Sequence, residues 1–176
     1  IQLVNDILQL SHLDNVSETG AAPAMETVDL LDVARECVER QKVNARHSYI
    51  SLPYLGESAP VTGSRILLDE LCQNLCANAS RYHRPGGNVP IITACTRDGH
   101  CTLTVKDNGI GIPKEAQTSV FERFYRVDKS RSKATGGTGL GLAIVKHIAR
   151  IHNARIKLDS VVDEGTTITV IFETAS

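Results

Sequence analysis

The stretch KATGGTGLGLAIVKHIARIH, running from Lys133 to His152, sets glycines at Gly136, Gly137, Gly139 and Gly141 directly ahead of an apolar-periodic segment. Backbone this dense in glycine has to come close to something, and the start of a helix offers unpaired N–H groups to an anion. The spacing predicts a helix from Gly139 to about His152 with a phosphate-binding loop at its head. Two common phosphate loops do not fit. No Lys-Ser or Lys-Thr follows the glycines, as a P-loop requires, and a polar loop rather than a strand precedes them, contrary to a dinucleotide fingerprint. Taken alone, the glycines are equally compatible with a plain helix-start loop.

Two further segments point the same way. A helix capped by Ser64 and running to about Tyr82 carries Glu70, Asn74, Asn78 and Arg81 at offsets of four, four and three, which stacks them on one face. Mid-helix asparagines are poor helix formers, so a stripe of them beside Leu71 and Leu75 reads as the lining of a cleft, with a solvated face as the plainer alternative. Between them and the glycine loop, KDNGIGIP puts Asp107, Gly109 and Gly111 at the end of a predicted strand.

The 176 residues suit one domain with an appendage, and 41% hydrophobic content with no Trp implies an aliphatic core. A net charge of −1 gives no general attraction to nucleic acid or to an anionic membrane surface, so neither is expected as a partner. No apolar run reaches the length of a membrane span. The five cysteines, Cys37, Cys72, Cys76, Cys95 and Cys101, do not look like a disulfide framework. Cys72 and Cys76 stand one helical turn apart, but no His or Cys pair at ligand spacing completes a metal site. They are expected to be small buried hydrophobes in a reducing, cytoplasmic compartment.

Along the chain, residues 1–18 form an amphipathic helix with Leu3, Val4, Ile7, Leu8 and Leu10 on its stripe. That stripe must pack on this domain, on a second copy or on a further helix. Residues 19–25 read as a linker, and residues 26–176 as the main domain, opened by a short strand and a helix capped by Asp29. Short strands are predicted in SYISLPYL and PVTG, and a hairpin turning at Asp98-Gly99. A polar loop spans 125–137, and two strands close the chain. Hairpin-linked strands and helices in this order suggest a two-layer α/β sandwich.

The ordered boxes ELCQNLCANASRY, DNGIGIP, FERFYR, GGTGLGLAIV and DEGTTITV resemble the ATP-binding catalytic domain of bacterial sensor histidine kinases, of the superfamily shared with gyrase, MutL and a heat-shock chaperone. The resemblance covers nearly everything from Glu26 onward. LVNDILQLSHLD resembles the end of the second helix of the dimerisation and phosphotransfer hairpin that precedes such domains. The fold implied is the Bergerat-type α+β sandwich: a mixed, mostly antiparallel sheet of about five strands, covered on one face by three helices and preceded here by the helix remnant.

The resemblance also implies roles. Asn74 would coordinate Mg²⁺, Asn78 would stand near the phosphates, Glu70 would orient a water or assist proton transfer, and Arg81 would reach the phosphates. Tyr82 would pack beside adenine, Asp107 would accept a hydrogen bond from its exocyclic amine, Gly109 and Gly111 would admit the base, and Ile112 would wall it. Phe121 and Phe124 would anchor a lid whose Arg126 and Arg131 contact the phosphates. Gly137, Thr138, Gly139, Leu140 and Gly141 would bind the triphosphate, and Thr166 would lie on the adenine side. The implied cofactors are ATP and Mg²⁺. The implied partners are the parent kinase's phosphotransfer hairpin, in a homodimer, and a response regulator. None of the six histidines has the context of the phosphorylated one, so the chain is expected to phosphorylate a hairpin supplied separately. An alternative of another class is a regulatory or degenerate domain that holds ATP without transferring phosphate.

Overall fold

The computed structural model describes residues 2–19, 23–44, 54–81, 90–126 and 138–175. Helix α1 spans Gln2–Thr19, strand β1 Glu26–Asp29 and helix α2 Leu30–Asn44. Strands β2, Tyr54–Gly56, and β3, Pro60–Gly63, lead into helix α3, Arg65–Arg81. The hairpin β4, Ile91–Arg97, and β5, His100–Asp107, follows, and then a single 3-10 turn, Lys114–Ala116. Helix α4, Gly141–Ile151, and strands β6, Arg155–Val161, and β7, Gly165–Glu173, complete the fold.

Five strands form one sheet in the order β2-β4-β5-β7-β6; β2 pairs in parallel with β4 and every other pair is antiparallel. Alternation within β5 and β7 sends Cys101, Leu103, Val105, Ile168, Val170 and Phe172 to one face, where they are buried with Leu68, Leu71 and Leu75 of α3 and Ile144 and Ile148 of α4. Helices α2, α3 and α4 make up the second layer. The two-layer sandwich expected from the sequence is thus the observed architecture. A second, two-stranded sheet, in which β1 pairs antiparallel with β3, was not foreseen.

Local signals account for several boundaries. The hydroxyl of Ser64 accepts the N–H of Leu67 at 3.3 Å and the carboxylate of Asp29 accepts the N–H of Leu31 at 2.9 Å, so both predicted caps exist, each worth about 1 kcal/mol. The β4–β5 turn uses Asp98 and Gly99 at φ of 51° and 76°, the left-handed pair that a two-residue hairpin needs. Helix α4 begins at Gly141, two residues later than expected. Gly139 has φ of 79° and sits in a turn, where its missing Cβ leaves room for the Phe124 backbone.

Packing decides three further points. Of the apolar stripe on α1, Leu10 is buried against the domain while Leu3, Val4, Ile7 and Leu8 are exposed; the helix docks through Asp6, Leu10 and Leu13, which recur at offsets of four and three. His152 accepts the Ser64 N–H through Nε2 at 3.0 Å while its Nδ1 donates to the Ile148 carbonyl at 2.7 Å, joining the end of α4 to the start of α3. Burial lowers its pKa below the usual imidazole value. Cys72 and Cys76 are buried as expected, but Cys37 of α2 joins them, and the three sulfurs lie within 4.8 Å of one another. The strand expected over 48–55 lies mostly outside the described residues.

Candidate functional site

One cavity gathers the motifs that the sequence scatters between Asn74 and Thr166. Asn74, Asn78 and Arg81 project into it from α3, at the spacing that put them on one face. Asp107, Gly111 and Ile112 enter from the end of β5 and the following loop, Thr166 from β7, and Thr138, Gly139 and Gly141 from the approach to α4. Arg126, half-buried, lines it as well.

On the β5 side the geometry is set by backbone. Asp107 is 6% exposed, and its Oδ1 accepts the N–H groups of Gly109 at 2.8 Å and Thr166 at 3.3 Å. Gly165 makes this possible: at φ of 130°, a Cβ there would lie 2.1 Å from the Asp107 carbonyl oxygen. Ser160 forms a second brace. Its hydroxyl accepts the N–H of Ile112 at 2.8 Å, and Gln117 Nε2 donates to the carbonyls of both Ile112 and Ser160 at 3.0 Å. The loop 108–113 is therefore held at both ends before any ligand arrives.

On the α3 side the donors are side chains. Asn74 Nδ2 donates to the Glu70 carbonyl at 2.8 Å, and a Cβ on Gly141 would meet Asn74 Oδ1 at 3.4 Å. The amide oxygen thus faces the head of α4, where a hard cation would find a neutral oxygen ligand. The donor set fits Mg²⁺, which takes few protein oxygens and shares the rest of its shell with phosphate and water. Glu70 is half-buried, and burial raises its carboxyl pKa above the usual range against the opposing hydrogen bond from Gln9 of α1. The hydroxyl of Thr138 donates to Asp6 of α1 at 2.7 Å and accepts the N–H of Leu140 at 3.3 Å. Asp14, farther along α1, accepts from Arg123 at 2.7 Å and 3.0 Å.

Residues 63–176 match the family described as "Histidine kinase-, DNA gyrase B-, and HSP90-like ATPase". The chain belongs to this family of ATPases. It is similar to the sensor-like histidine kinase SenX3 of Mycolicibacterium smegmatis, 43% identical over 96% of this chain and 43% of that protein. It is also similar to the sensor protein kinase WalK of Staphylococcus saprophyticus, 38% identical over 96% of this chain and 27% of that one. The chain thus spans less than half the length of these curated relatives. Among solved structures, the mycobacterial sensor histidine kinase MprB superposes with a TM-score of 0.73 at 31% identity, over 86% of this chain and 98% of that one.

Within this ATPase domain, most residues singled out in the sequence do converge. Asn74, Asn78, Arg81, Asp107, Gly111, Ile112, Arg126, Thr138, Gly139, Gly141 and Thr166 all line the cavity. Gly109 stands behind it as a partner of Asp107, and Glu70 lies one turn before Asn74, towards α1. Leu140 is fully buried in the core, and its contribution to the loop is backbone. Phe124 is 59% exposed at φ of 64°; its N–H bonds the Gly139 carbonyl at 2.9 Å, so it ties the two loops together without lining the cavity. Tyr82, Arg131 and Gly137, with most of the lid segment, lie outside the described residues.

The sequence reading missed Asp6, Ala77, Ile110, Val120, Tyr125 and Leu142, which also line the cavity. Ala77, Ile110 and Leu142 are neighbours of residues already singled out, and their apolar character was the available signal. Nothing local marks Asp6, whose place depends on how α1 docks. No described helix is long and apolar enough to cross a membrane.

Proposed function

We propose that this chain is the catalytic ATP-binding domain of a sensor histidine kinase, binding Mg-ATP and passing its γ-phosphoryl group to an imidazole on a phosphotransfer hairpin. The observation that carries this reading is that Asn74 and Asp107, 33 positions apart, line one cavity with the glycine turn before α4. In it, Asp107 selects adenine by accepting its amine, between Ile112 and Thr166. Arg81 and Arg126 face the phosphates, whose oxygens also meet backbone N–H groups at the head of α4. Asn74 Oδ1 is the protein ligand for Mg²⁺, which supplies neutralisation of charge on the phosphate oxygens.

Transfer breaks the bond between the γ-phosphorus and its bridging oxygen, releasing ADP, and forms a bond from phosphorus to an imidazole nitrogen. Little covalent work falls to the protein, so positioning and charge carry the rate. Glu70 is the group placed to take the imidazole proton. It lies next to α1, the side from which a hairpin histidine comes, and its raised pKa strengthens it as a base. Helix α1 is the C-terminal part of the hairpin's second helix, residues 1–18, with 19–25 as linker and 26–176 as the catalytic domain. The exposed Leu3, Val4, Ile7 and Leu8 are then the face that meets the hairpin's other helices in a homodimer, in a parent kinase with its catalytic part in the cytoplasm and a response regulator downstream.

The reading is tested by mixing this chain with the separately produced hairpin, radiolabelled ATP and Mg²⁺. Acid-labile label on the hairpin histidine is the expected result, with none on this chain alone. Binding of ATP without transfer favours a regulatory domain instead.

A further inference from the structure

Cys37 of α2 and Cys72 and Cys76 of α3 meet in the core, away from the ATP cavity, and none of the three has exposed surface. The Sγ atoms of Cys37 and Cys76 are 3.7 Å apart, and all three lie within 4.8 Å of one another. A soft ion binds thiolate at about 2.3 Å, so sulfurs sharing one ion stand roughly 3.3 to 4 Å apart. One pair already satisfies that spacing, and the third sulfur needs at most roughly 0.8 to 1.5 Å of adjustment to join it.

We propose that Cys37, Cys72 and Cys76 form a three-thiol site for a soft trivalent ion of the arsenic(III) class. Charge decides among soft ions. Three thiolates bring −3, so a monovalent ion leaves −2 in the core and a divalent ion leaves −1, each costly without a buried counter-charge. Arg40, whose charge reaches Cys37, is at the surface and paired with Asp69. A trivalent ion leaves a neutral centre. Coordination agrees: zinc takes four ligands, and among the described residues no His, Asp or Glu joins the trio, whereas a pyramidal trivalent ion needs only three.

The reaction balances without oxidant or reductant. Arsenous acid loses three hydroxides as three thiols lose their protons; three As–O bonds are replaced by three As–S bonds, and three waters leave.

The test uses the whole chain, kept reduced with a phosphine so that no added dithiol competes. After incubation with arsenite and desalting, one arsenic per chain is expected, with a near-ultraviolet thiolate charge-transfer band and a Tm that rises with arsenite concentration. Alkylation in denaturant, followed by mass mapping, locates the ion without any substitution: Cys37, Cys72 and Cys76 should be protected and Cys95 and Cys101 modified. Cys72→Ala should abolish retention and Cys95→Ser should keep it. No retained arsenic, protection of any other set of cysteines, or zinc bound in preference to arsenite overturns the proposal.

Discussion

Where β5 meets β7, Asp107 is fixed by two backbone N–H groups and the following loop is braced by Ser160 and Gln117, whereas at the head of α4 the cavity is faced by long side chains and by Asp6 from a separate helix. The first side owes its shape to sheet register: Asp107 pairs with Thr166, and no rotamer choice moves either main chain. The second side depends on what lies against it. Here α1 lays a carboxylate, 4% exposed, beside the Thr138 hydroxyl, where the family resemblance puts the phosphates. If the cavity holds ATP as proposed, the base would meet the rigid side and the phosphates the side that the docking of α1 adjusts.

The sharpest way to break that contrast is Asn74→Ala. Transfer to the separate hairpin should fall by roughly two to three orders of magnitude, the scale of removing one preorganised transition-state contact, with the fold intact by circular dichroism. Retained transfer would remove Asn74 from the phosphate side altogether. Gly165→Ala should act on the other side. A Cβ 2.1 Å from the Asp107 carbonyl oxygen at φ of 130° forces the β5–β7 register apart, lowering stability by about 1–3 kcal/mol or more in urea titration and weakening adenine binding with it.

Asp107→Asn keeps the shape and changes the acceptor. ATP affinity should drop about tenfold, close to 1.4 kcal/mol, with less preference over GTP, as read by calorimetry. Asp6→Asn should move affinity in the opposite direction, tightening ATP by about threefold as a like charge leaves the phosphate end, and more at low salt than at high. The smallest effect concerns pH. Because burial raises the Glu70 pKa, its base form is lost sooner as pH falls. The acid limb of the transfer rate should therefore lie above the ordinary carboxylate range, and Glu70→Gln should flatten it.

Much of the site was legible because its parts are local. The stripe Glu70, Asn74, Asn78 and Arg81 follows from helical spacing, the turn at Asp98-Gly99 from conformations open to those residues, and the caps at Asp29 and Ser64 from side chains two or three residues from their N–H partners. The ordered boxes then brought the loops around Asp107 and Gly139 together by resemblance, which spacing alone does not do. The start of α4 was placed too early because nothing in Gly139-Leu140-Gly141 announces that the first glycine takes a left-handed turn.

By itself, the sequence determined the helices, the hairpin, the polar ridge on α3 and the glycine turns, since each depends on residues within a few positions of one another. Only the tertiary structure decided that β2 runs parallel to β4, that β1 pairs with β3, and that α1 docks through Asp6, Leu10 and Leu13 while Leu3, Val4, Ile7 and Leu8 stay exposed. It alone brought Cys37 to Cys72 and Cys76 across 35 positions, because burial against another element depends on where that element lies, which no local periodicity records.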